Sequence, residues 1–182
     1  MNELVQLEKE KLAIEAERNV DGAGEGIAVM KSLPIIWQRL VNSRGQTCDR
    51  CSVTYEALRR TLAKLKDVLG PLGLEPTLQT IEIQEESFRA DPSASNRIWV
   101  AGKPLEEWLG ARVGSSRCCS VCGDSECRTL EAGGAVFEAI PEDLILKAAL
   151  VAAAQMLGPI SEAASGEWEP CSCGPTCCTD AL

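Results

Sequence analysis

The sequence predicts a layered α/β fold, and three observations carry that reading. Short runs of bulky and β-branched residues alternate with helix-period patterns over residues 27–157. A Cys-x-x-Cys pair, Cys48 and Cys51, falls where the first strand gives way to the first helix. Glycine- and proline-containing turns separate the elements.

Leu33 to Val41 reads as a buried strand through Ile35, Ile36, Trp37, Leu40 and Val41. An amphipathic helix follows over about Ser52 to Leu69. Its apolar stripe is Leu58, Leu62, Leu65 and Leu69, and Gly70-Pro71 stops it. Thr77 to Ile83 is a second strand, Glu85 to Ala90 a short polar helix, and Asn96 to Val100 a third strand turned by Ala101-Gly102. Trp99 and Trp108 read as core, and Glu106 and Glu107 as a solvated helix face. Arg128 to Leu130 and Ala135 to Ala139 flank Gly133-Gly134, a hairpin signal. Pro141 opens a final, nearly all-apolar helix to Leu157, at the position where proline is tolerated.

Charge divides the chain. Residues 1–26 carry net −4 and residues 158–182 again −4, out of a total of −9, so a near-neutral domain has two acidic ends. The expected organisation is an N-terminal helix and linker (1–26), a compact domain (27–157) and a cysteine-rich disordered tail (158–182).

Composition excludes several functions. There are ten cysteines and no histidine, so no imidazole base or ligand is present. The acidic charge and the few aromatics argue against a nucleic-acid partner. No signal peptide opens the chain and no apolar run reaches membrane length, so the expected location is cytoplasmic, with no membrane partner. In a reducing compartment, ten cysteines read as metal ligands or redox thiols. The order strand, Cys-x-x-Cys, helix, strand, helix, strand, hairpin, helix suggests a thioredoxin-like layered sheet with a cysteine-rich insertion.

Three motifs sharpen this: Thr47-Cys-Asp-Arg-Cys51, Ser95-Asn-Arg-Ile-Trp-Val-Ala-Gly-Lys-Pro-Leu-Glu-Glu-Trp-Leu109, and Cys118-Cys-Ser-Val-Cys-Gly-Asp-Ser-Glu-Cys127. Together they resemble a bacterial and archaeal thioredoxin-like family catalogued as a domain of unknown function, over about residues 33–157. The resemblance implies a fold more than an activity. Thioredoxins carry tryptophan directly before the first cysteine, where this chain has Thr47. They carry a cis-proline ahead of the third strand, where this chain has Asn96 and Arg97. That proline shields the cysteine pair from metal ions, so its replacement tilts the expectation toward metal.

The cysteines form three groups. Cys48 and Cys51 sit at a helix start, where backbone N–H groups favour a thiolate. They are the candidate catalytic pair, Cys48 as solvent-facing nucleophile and Cys51 as resolving thiol, or else an exposed pair that receives a metal. Cys118, Cys119, Cys122 and Cys127 form a knuckle-like metal cluster with Gly123 supplying the turn, Cys118 being set apart by its adjacency to Cys119. Cys171, Cys173, Cys177 and Cys178 form a tail cluster similar to the paired-cysteine tails of mercuric reductases.

Soft thiolates select zinc, Fe–S clusters, mercury or arsenic. The expected function is binding, sequestration or transfer of a soft metal or metalloid ion, exchanged with a thiol-containing protein as donor or acceptor. The alternatives are a thiol–disulfide oxidoreductase using Cys48 and Cys51, and a non-catalytic module with a structural zinc site.

Overall fold

A computed structural model describes residues 30–118, 122 and 125–159. Strand β1 (Lys31–Leu40) lies inside a four-stranded sheet. It runs parallel to β2 (Leu74–Ile83) on one side and antiparallel to β3 (Arg97–Val100) on the other; β4 (Lys103–Pro104) completes the order β2-β1-β3-β4. The period-2 pattern of β1 sends Leu33, Ile35 and Trp37 into the core. Trp37 stacks on Tyr55 at 5.3 Å between ring centroids.

Parallel strands need a crossover, and helix α1 (Asp49–Leu69) provides it between β1 and β2. Its apolar stripe buries Leu58, Leu65 and Leu69, each contributing about 1.5–3 kcal/mol. The helix begins three residues earlier than the apolar pattern indicates, because its first turn is the polar Asp49-Arg50 segment with Cys48 as N-cap.

Helix α2 (Glu85–Ala90) and a 3-10 turn (Pro92–Ala94) lead into β3, and α3 (Leu105–Leu109) follows β4. A second, antiparallel sheet has the order β5-β6-β7: β5 (Arg112–Arg117), β6 (Glu126–Ala132) and β7 (Ala135–Phe137). Gly133 and Gly134, at φ 58° and 81°, form the two-residue turn joining β6 to β7. Helix α4 (Glu142–Leu157) buries Ile145, Ala148, Ala149, Ala152 and Ala153 and packs on α1. Its first turn is tied there by Glu142, which meets Lys64 at 2.6 Å and Arg60 at 2.7 Å. These cations, Lys64 foremost, hold the Glu142 carboxyl below the usual range.

The architecture is mixed α/β, with two open sheets rather than a closed barrel. One core runs through both halves, from Leu33 and Leu58 to Leu130 and Ile145. No helix among the described residues is long and apolar enough to cross a membrane.

Three expectations need correction. Strand β5 has no counterpart in the sequence reading, because Arg-Val-Gly-Ser-Ser-Arg lacks apolar alternation and every β5 side chain is exposed or half-buried. The strand after Gly134 ends at Phe137 rather than Ala139. Glu106 does not lie on a solvated face: it accepts a 2.6 Å charge-paired bond from Arg128, whose side chain is 7% exposed. The N-terminal helix and the tail lie outside the described residues.

Candidate metal centre

The site is built where α1 begins. Cys48 is the N-cap of α1 and Cys51 lies in its first turn, so both sulfurs fall on the side of the helix that faces the core. Across from them β5 ends at Arg117, and Cys118 follows directly. The chain returns through Cys122, whose carbonyl accepts from Ser125 N–H at 3.3 Å, and enters β6 with Cys127 paired to Ser116. The result is a convergence of sulfurs from the start of α1 and from the connection between β5 and β6.

The sulfur atoms of Cys48, Cys118 and Cys122 all lie within 4.8 Å of one another, and all three residues are buried. Among the described residues this is the one group of three or more potential ligand atoms packed so closely. Cys51 and Cys127 flank it, and no disulfide joins these five cysteines.

The electrostatics pair thiolates with thiols. Cys48 is pulled down to about 2, first by the Cys122 thiol and then by the Cys51 thiol, with the backbone N–H of Cys51 adding to the effect. Cys51 is pushed up because it donates to the Cys48 sulfur and is buried. Cys122 is pushed up by donating to Cys127 and to Cys48. Cys127 is lowered chiefly by the Cys122 thiol. In each half a lowered cysteine therefore lies beside a raised one that hydrogen-bonds to it.

The segment ahead of β3 carries Ser95 and Asn96. Ser95 is buried; its hydroxyl accepts from Leu40 N–H at 3.2 Å and lies 3.7 Å from the Cys51 sulfur. Asn96 takes a left-handed φ of 56°, accepts from Trp37 Nε1 at 3.1 Å and donates to the Glu138 carbonyl at 3.4 Å.

Two sequence expectations change here. Cys48 and Cys51 are not an exposed pair: they are 2% and 1% exposed, since the first turn of α1 faces inward beneath the second sheet. Nor do they form a group separate from the insertion, because Cys48 shares its surroundings with Cys118 and Cys122. Cys118, set apart in sequence by its neighbour, is one of the three converging residues. Cys119, Gly123, Cys171, Cys173, Cys177 and Cys178 lie outside the described residues. Sequence reasoning missed Ser95, Ser116 and Glu138, whose partners at the site lie far away in sequence; Arg50 stands inside the Cys-x-x-Cys pair, but nothing local shows what its side chain holds.

An all-sulfur, buried, partly pre-ionised site is suited to thiophilic ions, because binding drives the remaining thiols to deprotonate. It offers no imidazole, since the chain has none.

The chain matches the family described as "Domain of unknown function (DUF2703)" over residues 33–149 and belongs to it. It is similar to an uncharacterized protein of Archaeoglobus fulgidus, 42% identical over 113 residues, which cover 62% of this chain and 82% of that relative. No solved structure matches the chain.

Proposed function

We propose that the protein binds a soft metal or metalloid ion through Cys48, Cys118 and Cys122, for sequestration or transfer to a thiol-bearing partner. The observation that carries this reading is the convergence of three buried sulfurs within 4.8 Å, from segments about seventy residues apart in sequence. A purely structural role for so many thiols is weakened by the core around them, which already includes Leu58, Leu130 and Ile145. A thioredoxin-like scaffold is supported by the sheet order β2-β1-β3-β4, the parallel β1–α1–β2 unit and the cysteine pair at the start of α1.

The oxidoreductase reading draws support from the depressed Cys48 thiol beside the protonated Cys51. The burial of both residues weighs against attack on a protein disulfide.

The test uses reduced, anaerobic full-length chain in which Cys171, Cys173, Cys177 and Cys178 are serine, so that only the domain thiols report. Arsenite, mercuric ion and zinc are titrated separately while sulfur-to-metal absorption is followed. We expect one ion per chain. Cys48→Ser, Cys118→Ser and Cys122→Ser should each weaken binding by more than the roughly tenfold to hundredfold loss typical when a residue that only orients a ligand is changed. Unchanged affinity in all three variants rules the centre out.

A further inference from the structure

We infer that Arg50 is the positioning residue that assembles this centre, holding the strand end that carries Cys118 onto the helix start that carries Cys48. The inference deepens the proposed function and rests on that reading only for its metal readout. Arg50 stands between Cys48 and Cys51, and its side chain is 12% exposed. Its Nη1 donates to Ser116 Oγ at 2.9 Å and to the Ser116 carbonyl at 3.3 Å. Its Nη2 donates to the Arg117 carbonyl and to Glu138 Oε1, the latter at 2.8 Å. The Arg117 carbonyl belongs to the peptide whose nitrogen is that of Cys118, so the guanidinium grips the backbone immediately before a ligand.

The grip extends further. Ser116 Oγ donates to the same Glu138 oxygen at 2.8 Å. Through the β5–β6 ladder, Ser116 is paired with Cys127. The Glu138 carbonyl accepts from Asn96, next to the Ser95 that touches Cys51. One guanidinium thus connects the segments bearing Cys48, Cys51, Cys118 and Cys127.

What makes this more than a surface ion pair is the character of β5. No β5 side chain is buried, so apolar packing by the strand's own residues does not fix where it ends. Hydrogen bonds must do so, and a planar fork with several fixed donors reaches two carbonyls and a carboxylate at once. A lysine ammonium has the charge without that geometry.

The test again uses the full chain with serine at the four tail cysteines, reduced and metal-free. It is treated with dibromobimane, a short reagent that links neighbouring thiols, and the linked peptides are mapped by mass spectrometry. Wild type should give Cys48 joined to Cys118 or Cys122. In Arg50→Gln and Arg50→Lys most of that product should be lost in favour of Cys48 joined to Cys51, with far-UV circular dichroism unchanged. Glu138→Gln, which keeps the side-chain shape, provides a second variant should the Arg50 variants fail to fold, and should give a partial shift in the same direction.

Mercuric ion adds a spectroscopic readout: three-coordinate thiolate absorption in wild type, two-coordinate in Arg50→Gln. A wild type that binds no ion retires the proposed function, while the cross-links still decide the role of Arg50. Cross-links between Cys48 and Cys118 that persist in Arg50→Gln and Glu138→Gln, or that are absent from wild type, overturn the inference.

Discussion

The two sheets reach the same thiolate centre by different physics. The four-stranded sheet and α1 are positioned by apolar burial: Leu33, Ile35 and Trp37 on β1 meet Leu58 and Leu65 on α1. In the three-stranded sheet, β5 contributes no buried side chain, and Leu130 is the one aliphatic residue fully buried on β6. Besides Leu130 and Cys127, which join the common core, its attachments are polar: Arg50 to the end of β5, and Arg128 on β6 to Glu106 on α3 and to the Ser93 carbonyl. Both halves of the site share the core, and the second is pinned to the first by guanidinium groups as well.

The largest test of this contrast is the Arg128–Glu106 pair, whose side chains are 7% and 15% exposed. Removing one partner strands a buried charge, so Glu106→Ala should destabilise the fold by about 3–5 kcal/mol. Pairing Glu106→Leu with Arg128→Met should restore most of that loss, because a packed apolar pair replaces a desolvated ionic one. Urea unfolding with matched slopes measures both. A cost for Glu106→Ala under about 1 kcal/mol, the range of exposed pairs, means the small sheet is held by packing like the large one, and the contrast fails.

The same division explains what the sequence disclosed. β1, α1, β3 and α4 announce themselves through apolar period, glycine and proline stops, and Pro141 at a helix start. β5 is silent because a strand whose side chains are exposed, and whose Gly114 sits 2.8 Å from Thr129 and Glu131 oxygens at its would-be Cβ, needs no apolar alternation. The thiol chemistry of the site was legible, since cysteine carries its chemistry in its name. Their convergence was not: spacing shows that Cys119 is near Cys122, but no local rule brings Cys118 to Cys48 across some seventy residues. Burial of the pair was equally hidden, because it is imposed by the second sheet, which the pair's own neighbours do not encode.

A second, smaller effect tests whether the two halves match in electrostatics although they differ in packing. Cys48 and Cys127 have lowered pKa values on folding, so their contribution is present above the ordinary thiol value of 9.0 and is lost as pH falls below it. Cys51 and Cys122 have raised values, so theirs is present below 9.0 and is lost as pH rises above it. The reduced, metal-free chain should therefore be most stable near pH 9. Cys51→Ser should flatten the alkaline side, and Cys48→Ser both sides, because the Cys48 sulfur is the first cause of the raised Cys51 value; each titrating group accounts for at most about 1.4 kcal/mol per pH unit. Urea midpoints on either side of that pH decide it. A profile with no maximum there, or a Cys48→Ser variant that leaves the alkaline side unchanged, would break the thiol–thiolate pairing.

The smallest effect compares two arginine–glutamate pairs of nearly equal length, one in each region. Arg39 meets Glu82 at 2.7 Å across the parallel β1–β2 pair, where the two residues stand in register. Arg50 meets Glu138 at 2.8 Å. Glu82 and Glu138 are about equally exposed, at 49% and 53%, so Coulomb attraction alone gives them similar weight. The difference lies in what else each guanidinium holds. The Arg39 side chain lies over the Trp37 ring at 5.4 Å, and its strand is fixed by the sheet whether or not Glu82 is charged. Arg50 grips the backbone on which Cys118 depends. Glu82→Gln should accordingly cost about 0.2–1 kcal/mol, fade in high salt, and leave the Cys48–Cys118 cross-link untouched. If it redistributes the cross-links as strongly as Glu138→Gln does, the cysteines are responding to a general loosening of the fold, and the assignment of Arg50 as the element that joins the two sheets loses its specificity.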